Sequence, residues 1–462
     1  MIRDSRFVCH KLPTLNPTDP SVLLSVAAAG VALVVVLITW ARLPAFIALA
    51  AGAFFVGIAG GMPLVDIPRA FQQGVGDTLG FIAVVIGLGT VIGKLLAESG
   101  GALVVSTALA RAMGERHLDW AVMISAFIIG LPVFFQVGLV LLAPVVFTLT
   151  RQTGTPLLRL GIPLVAGLSA AHGLVPPHPG PLAAIDRLGA DTGRTLFYSL
   201  IVGFPCAVVA GPIFGRLMTG RIHAEPGGMA DQLTADVTGK RLPSLATTLL
   251  TILLPVLLMM LGALAQATVS DGAVRRSLAF AGNPLVAMLL ATFVALYTFG
   301  RSCGYDRTRL LRFAEESLPP IASVLLVVGA GGGFGRVLDA AGADTAIATA
   351  MGGLNLSPLV LGWVIASLLR LAVGSATVAV VTAASIMAPI AAALPTLNRE
   401  LLVVAIGAGS LIASHVNDGG FWLVKEYLNM SVPQTVATWT VLETIVALIG
   451  LAGVLVLALV VR

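Results

Sequence analysis

The sequence predicts an all-α polytopic membrane protein with about 12–14 membrane segments, arranged as two inverted repeats with broken helices or re-entrant hairpins. Three observations support this prediction: the composition, the length of two apolar segments, and a match between the two halves of the chain. Hydrophobic residues make up 57% of the 462 residues, and charged residues make up 11%. A soluble globular protein has roughly 25% charged residues, so this composition excludes a soluble enzyme, a disordered chain and a collagen-like fibre.

Apolar segments recur along the chain, and a helix that spans a bilayer needs about 20 apolar residues. These segments are 21–41, 44–61, 78–98, 118–150, 157–175, 195–219, 244–266, 278–299, 319–340, 357–394, 401–416 and 437–461. Segments 118–150 and 357–394 are too long for one span, and each has breakers or small polar residues near its middle, at Gly130-Leu131-Pro132 and Gly374-Ser375-Ala376-Thr377. Both therefore predict a broken helix or a re-entrant hairpin, which membranes tolerate only where the backbone is buried or lines a cavity.

Polar stretches divide the chain into four regions. We assign a polar N-terminal extension to 1–20, a first transmembrane repeat to 21–219, a central polar linker to 220–243 and a second transmembrane repeat to 244–462. The first apolar segment resembles the core of a secretory signal, but its length of about 20 residues exceeds the roughly 7–15 of such a core. We therefore expect a retained first helix.

The two halves of the chain resemble each other in order. The stretch Gly87–Gly100 aligns with Gly329–Gly342 at an offset of 242 residues, with glycines and a basic residue in register. Two further matches, at an offset of 243, are Trp120 with Trp363 and Ala171-His172 with Ser414-His415. Ordered matches at a nearly constant offset indicate a duplication. Duplicated halves with interrupted helices at equivalent places are typical of secondary transporters.

The densest group of helix breakers is Pro176-Pro177-His178-Pro179-Gly180-Pro181, which follows the apolar segment that contains His172. Proline removes a backbone donor and stops a helix, so this stretch must be unwound. It is either an ordinary loop outside the membrane or the unwound centre of a discontinuous helix, because apolar residues resume directly after it.

The equivalent stretch of the second half places His415, Asn417 and Asp418 among apolar residues. Ionisable groups inside a membrane are costly and are functional candidates by default. The alternative is that these polar side chains only cap a helix end.

Ser375 and Thr377 provide hydroxyl groups beside a glycine, where backbone amides at the start of a half-helix would attract a carboxylate. Close helix packing by small residues is the alternative. Arg370 lies deep in the same apolar segment. It either binds an anionic substrate through a bidentate contact, or it snorkels to the interface or pairs with a carboxylate of the protein.

The remaining charged residues predict no further chemistry. Lys94 with Glu98, and Arg336 with Asp339, have the spacing of ion pairs on one helix, and we expect them at helix ends near the interface. The net charge of +5 comes from basic residues scattered singly through polar gaps, which fits anionic lipid head groups and excludes nucleic acid as a partner. The three cysteines are far apart, so we predict no metal site and no cofactor.

Three motifs identify a family resemblance. Pro-Pro-His-Pro-Gly-Pro at 176–181, Gly-Ser-Ala-Thr-Val-Ala at 374–379 and His-Val-Asn-Asp-x-Gly-Phe-Trp at 415–422 resemble those of the gluconate permease family, which are gluconate:proton symporters of the ion-transporter superfamily. The resemblance extends from about Val22 to the C-terminus. It implies a multi-pass protein of the cell inner membrane that imports gluconate or a related sugar acid with protons by alternating access. Relatives of similar sequence carry other hydroxy acids or D-serine.

The resemblance also implies a central site built from both halves. Gln136, His172 and His178 would come from the first half, and Ser375, Thr377, His415, Asn417 and Asp418 from the second half, with Arg370 beside them. The chain departs from the family pattern in two places. Gln136 replaces an expected acid, and Gly419 replaces an expected proline, although glycine also permits an unwound backbone.

Because Gln136 cannot titrate, the candidates for proton coupling are His172, His178, His415 and Asp418. We favour Asp418, with His415 as a hydrogen-bonding partner of the substrate or of Asp418. The expected partners are therefore an organic anion, protons and the lipid bilayer, and a homo-oligomer stays open. No catalytic residues are expected, since a membrane enzyme would need a catalytic set such as a His-Glu-x-x-His helix, which the sequence lacks. A channel is a second rival, but two broken halves with polar centres suit alternating access better.

Overall fold

The computed structural model describes residues 20–227, 241–342 and 357–461. All regular secondary structure in these ranges is helical, as predicted. Ten helices of the described chain are long and apolar enough to cross a membrane, and three shorter apolar helices accompany them. Most of the predicted N-terminal extension and residues 228–240 of the predicted linker lie outside the described residues.

Helices α1 to α10 form the first half of the chain. They are α1 (Pro20–Thr39), α2 (Ala45–Ala59), α3 (Asp66–Glu98), α4 (Gly101–Met113), α5 (Leu118–Gly130), α6 (Phe135–Thr153), α7 (Leu157–Leu174), α8 (Pro179–Leu188), α9 (Thr192–Val208) and α10 (Phe214–Thr219). One π-helical turn, Val209–Ile213, joins the last two into a single long helix.

Helices α11 to α21 form the second half. They are α11 (Leu245–Thr268), α12 (Ala273–Ala281), α13 (Pro284–Ala295), α14 (Arg307–Ser317), α15 (Ala322–Ala340), α16 (Pro358–Val373), α17 (Ala376–Ala393), α18 (Arg399–Gly409), α19 (Gly419–Tyr427), α20 (Val432–Thr435) and α21 (Val441–Val460). A π-helical turn at Val436–Thr440 joins the last two.

Both long apolar segments are broken where the sequence predicts. Residues 131–134 separate α5 from α6, and Gly374-Ser375 separate α16 from α17. Gly374 has a φ of 78°, a backbone angle that residues with a side chain rarely adopt. A Cβ atom at this position would also collide with the carbonyl oxygen of Asn417. Glycine is therefore required at this break for its backbone conformation and for close approach.

The proline cluster interrupts a helix inside the protein. α7 ends at Leu174 and α8 begins at Pro179, and the residues between them are buried. A loop outside the membrane would be exposed, so the burial favours the unwound centre of a discontinuous helix. The equivalent interruption in the second half covers residues 410–418, between α18 and α19.

The helix bounds repeat with the offset found in the sequence. α5, α6 and α7 correspond to α16, α17 and α18, each followed by an interruption and a short helix. The halves also pack against each other, because α3 contacts α15 and α8 contacts α17. Residues near the interruptions of both halves therefore lie close together. The inverted orientation of the repeats stays a prediction.

Candidate functional site

A cavity of about 290 Å³ lies where the interruptions of the two halves meet. Its wall is formed by Phe135, Gln136, Ser169, His172, Arg370, Val373, Gly374, Ser375, Ala376, Thr377, Leu411, Asn417, Asp418, Gly419, Gly420, Trp439 and Glu443. Small-molecule sites are typically clefts of roughly 300–1,000 Å³ that combine apolar walls with a few polar groups, so this cavity lies at the lower limit of that range. The volume fits a small organic molecule of a few carbons.

The first turns of three helices line this cavity. Phe135 and Gln136 begin α6, Ala376 and Thr377 begin α17 directly after its cap Ser375, and Gly419-Gly420 begin α19. Ser375 caps α17 by accepting a hydrogen bond from the Val378 amide at 3.4 Å. The first amides of a helix have no intrahelical acceptor and lie at the positive end of the helix dipole. Three such ends make the cavity favourable for an anion.

Arg370 and Asp418 form an ion pair at the edge of the cavity. Nη2 of Arg370 donates to Oδ2 of Asp418 at 2.5 Å, and Nη1 donates to the carbonyl oxygen of Gly374. The Arg370 side chain is 3% exposed. Arg370 thus pairs with a carboxylate of the protein, one of the alternatives from the sequence, and it links the two interruptions of the second half.

Asp418 is held by further donors. The Ser414 hydroxyl donates to Oδ2, and the Gly420 amide donates to Oδ1 at 2.9 Å, so Asp418 also caps α19. Trp439 Nε1 donates in turn to the Ser414 hydroxyl at 2.8 Å. Asp418 therefore caps a helix, as one interpretation of the sequence predicts, and it also lines the cavity, while its functional role stays a prediction.

His172 and His178 lie in contact, but only His172 lines the cavity. Nε2 of His178 lies 2.7 Å from the Gly130 carbonyl oxygen, and because a carbonyl only accepts, Nε2 has the proton. With both rings neutral, Nδ1 of His178 accepts from Nδ1 of His172 across 3.3 Å. Nε2 of His172 is then an acceptor nitrogen.

The other predicted residues divide into two groups. Gln136, Thr377 and Asn417 line the cavity, and within the described chain the Thr377 hydroxyl has no hydrogen-bond partner. The Asn417 amide donates to the Leu371 carbonyl oxygen at 3.0 Å. His415 is absent from the cavity wall, and its Nδ1 donates to the Ala413 carbonyl oxygen at 2.8 Å.

Sequence reasoning missed two polar residues of the cavity wall, Ser169 and Glu443. Glu443 is 1% exposed. A signal for it was present, because Glu443 is the only charged residue in the apolar segment 437–461. An acid in such a segment is itself a functional candidate.

Of the two ion pairs that the sequence predicts at helix ends, the structure contains only one. Lys94 pairs with Glu98 at 2.9 Å, as predicted. Asp339 pairs with Arg187 of α8, at 2.8 and 2.7 Å from its two oxygens, so the predicted pair with Arg336 is wrong. Gly335 explains the difference: it has no side chain, and a Cβ there would meet the Arg187 guanidinium. Arg187 therefore reaches Asp339 across the contact between the halves.

Comparison with known proteins agrees with this architecture. The family model described as GntP family permease matches residues 22–460. The gluconate permease of Pseudomonas aeruginosa is 48% identical over 428 residues, which cover 92% of this chain and 95% of that protein. The Gnt-II system L-idonate transporter of Escherichia coli is 40% identical over 433 residues, which cover 94% of this chain and 98% of that protein.

A solved structure shares the fold. The YdaH transporter of Alcanivorax borkumensis superposes with a TM-score of 0.64 at 18% identity, over 86% of this chain and 88% of that chain. The family and the candidate spans agree with the predicted location, a multi-pass protein of the cell inner membrane. Its relatives are permeases and transporters, not enzymes. The chain belongs to the GntP family of permeases.

Proposed function

We propose that this permease imports gluconate or a closely related sugar acid by proton symport with alternating access. The observation that supports the proposal best is the cavity between the halves, where the first turns of three helices meet hydroxyl, amide and guanidinium groups. A sugar acid combines one carboxylate with several hydroxyls, and this wall offers partners for both. Relatives named for gluconate and for L-idonate support the same class of substrate.

The substrate carboxylate is proposed to bind at the start of α17. The amides there and the Thr377 hydroxyl donate hydrogen bonds, Ser375 orients the turn, and Arg370, whose charge is paired with Asp418, holds the Gly374 carbonyl beside them. An uncompensated carboxylate would be very costly inside the membrane, so these groups must act together.

The substrate hydroxyls are proposed to contact the opposite wall. Gln136 and Asn417 each have an amide group there, and Nε2 of His172 accepts a hydrogen bond. His178 acts through His172 by fixing its tautomer. His415 acts through the backbone, because its carbonyl oxygen accepts from the Asp418 amide at 2.9 Å.

Uptake of labelled gluconate into proteoliposomes tests this function. An inward proton gradient should drive saturable accumulation above the external concentration, and a protonophore should abolish it. A channel would only equilibrate the label, and an enzyme would convert it. If gluconate neither enters nor competes, while L-idonate or D-serine does, the substrate is another member of the family's range.

Asp418 is the coupling residue that the sequence predicts, and Asp418→Asn tests it separately. The amide keeps the shape but cannot titrate, so if Asp418 binds the transported proton, exchange of gluconate should persist in part while proton-driven accumulation falls. If the variant concentrates gluconate as strongly as the wild type, Asp418 is not the coupling residue. Assembly into a homo-oligomer stays a prediction, which cross-linking in membranes can test.

A further inference from the structure

We propose that Glu443 is the carboxyl group that binds the transported proton, and that Asp418 instead serves as the fixed partner of Arg370. This inference rests on the proposed function, because it assumes that an organic anion enters with a proton. It assigns a role to a residue that the motifs of the sequence do not include.

Glu443 lies on α21 with its carboxyl group in the cavity wall. The side chain is buried, and its Oε1 atom has no hydrogen-bond partner in the described chain. Ser169 of α7 provides a hydroxyl contact. A buried polar atom without a partner is rare in folded proteins and requires an explanation. A proton on this oxygen would supply the missing donor toward the cavity.

The groups that face Glu443 are one cation, one carboxylate and one imidazole. Arg370 comes from α16, Asp418 precedes α19, and His172 lies on α7. Arg370 already pairs with Asp418, and no salt bridge to Glu443 is found in the described residues. Glu443 therefore has no cation of its own.

Asp418 is a poorer proton acceptor than Glu443, because its carboxylate already has an ion-pair partner and hydrogen-bond donors. Its two oxygens accept from Arg370, from Ser414 and from the Gly420 amide. A proton on Asp418 would neutralise the carboxylate and leave the buried Arg370 guanidinium without its counter-charge, which is costly. Glu443 has an unused oxygen and no ion pair to break.

Charge balance links this proton to the substrate. In the empty closed cavity, Arg370 offsets Asp418, and an ionised Glu443 leaves one negative charge. If an organic anion enters while Glu443 takes up a proton, the cavity again has one negative charge. Entry of the anion without the proton would leave two negative charges in the cavity, which the low-dielectric interior disfavours. One anion thus requires one proton, and the combined step moves no net charge.

Glu443→Gln in proteoliposomes tests the proposal, with Asp418→Asn as the matched acid-to-amide variant. Wild-type protein should accumulate gluconate under an inward proton gradient. It should ignore a potassium diffusion potential imposed at equal pH. Glu443→Gln should lose accumulation and its pH dependence, yet keep gluconate exchange within about threefold of the wild type, because an amide still donates and accepts hydrogen bonds. Glu443→Asp should restore part of the accumulation.

Each alternative result has a defined meaning. If wild-type protein takes up gluconate under neither gradient, the proposed function fails. If wild-type uptake is proton-driven but Glu443→Gln still accumulates gluconate, the proposed function stands and the role of Glu443 is overturned. Loss of exchange in a Glu443→Gln protein that purifies as a folded species also overturns it, because Glu443 would then be a binding residue. Uncoupled exchange in Asp418→Asn alone would assign the proton to Asp418.

Discussion

The interruptions of the two halves occupy equivalent places in the chain but have different chemistry. In the first half, the residues around 131–136 and 175–178 are apolar or neutral polar. In the second half, Arg370 and Asp418 form an ion pair across the two interruptions. The charges that the interruptions bring to the cavity therefore come from the second half.

The matched histidines show the same difference. His172 lines the cavity and contacts His178, whereas His415 donates to its own backbone at Ala413. The two halves thus break their helices at equivalent places, but this equivalence does not determine which side chains reach the cavity. A residue that aligns with a site residue of the other half is not thereby a site residue.

The largest expected effect concerns the orientation of the halves. Arg151 and Leu394 are exposed near the ends of α6 and α17, at equivalent positions of the repeat. If the repeats are inverted, single cysteines at these positions, in a background without the native cysteines, should react with an impermeant reagent from opposite sides of the membrane. Labelling of both from one side would show parallel repeats.

Loss of the ion pair should have the next largest effect. Arg370→Gln leaves Asp418 without its cation, and breaking a buried pair in this way costs about 3–5 kcal/mol. We expect lost uptake and a lower midpoint of thermal unfolding in detergent. Arg336→Gln is the control, because Arg336 is exposed and makes no ion pair in the described residues. Normal uptake by Arg370→Gln would show that transport does not depend on the positive charge of Arg370.

Thr377→Val tests the proposed carboxylate site at the start of α17. The change keeps the volume similar and removes a hydrogen bond to a charged group, worth about 1.5–3 kcal/mol. The apparent affinity for gluconate should fall roughly 10- to 150-fold. Thr148→Val is the control, because the Thr148 hydroxyl bonds to its own helix at Pro144. An unchanged affinity at normal protein level would move the carboxylate elsewhere in the cavity.

The smallest expected effect is a difference in substrate affinity between variants of the two matched histidines. His172→Leu removes a neutral hydrogen bond worth about 0.5–1.5 kcal/mol, so the affinity should fall about 2- to 12-fold. His415→Leu should change it by less than about twofold, since its ring faces its own backbone. Equal losses in competition assays would mean that both histidines contact substrate, and the asymmetry between the halves would disappear.

The sequence predicted the helices and their interruptions because both depend on local composition. Apolar length sets the spans, and the Gly374 and Pro176 regions cannot continue a helix. Side-chain partners depend on packing between distant segments, so Arg187 with Asp339 and the orientation of His415 could not be read from spacing. Glu443 lies outside the motifs that predict the site, and its only signal in the sequence is a single charge within an apolar segment.

The contact of Gly374 with the Asn417 backbone has an evolutionary consequence. With Arg370 bonded to both interruptions, this part of the second half behaves as one mechanical unit in which few substitutions fit. Gln136 on the opposite wall has no such restraint in the described residues. We therefore expect laboratory selection for growth on a new sugar acid to enrich changes at 131–136 and to leave 374–377 intact.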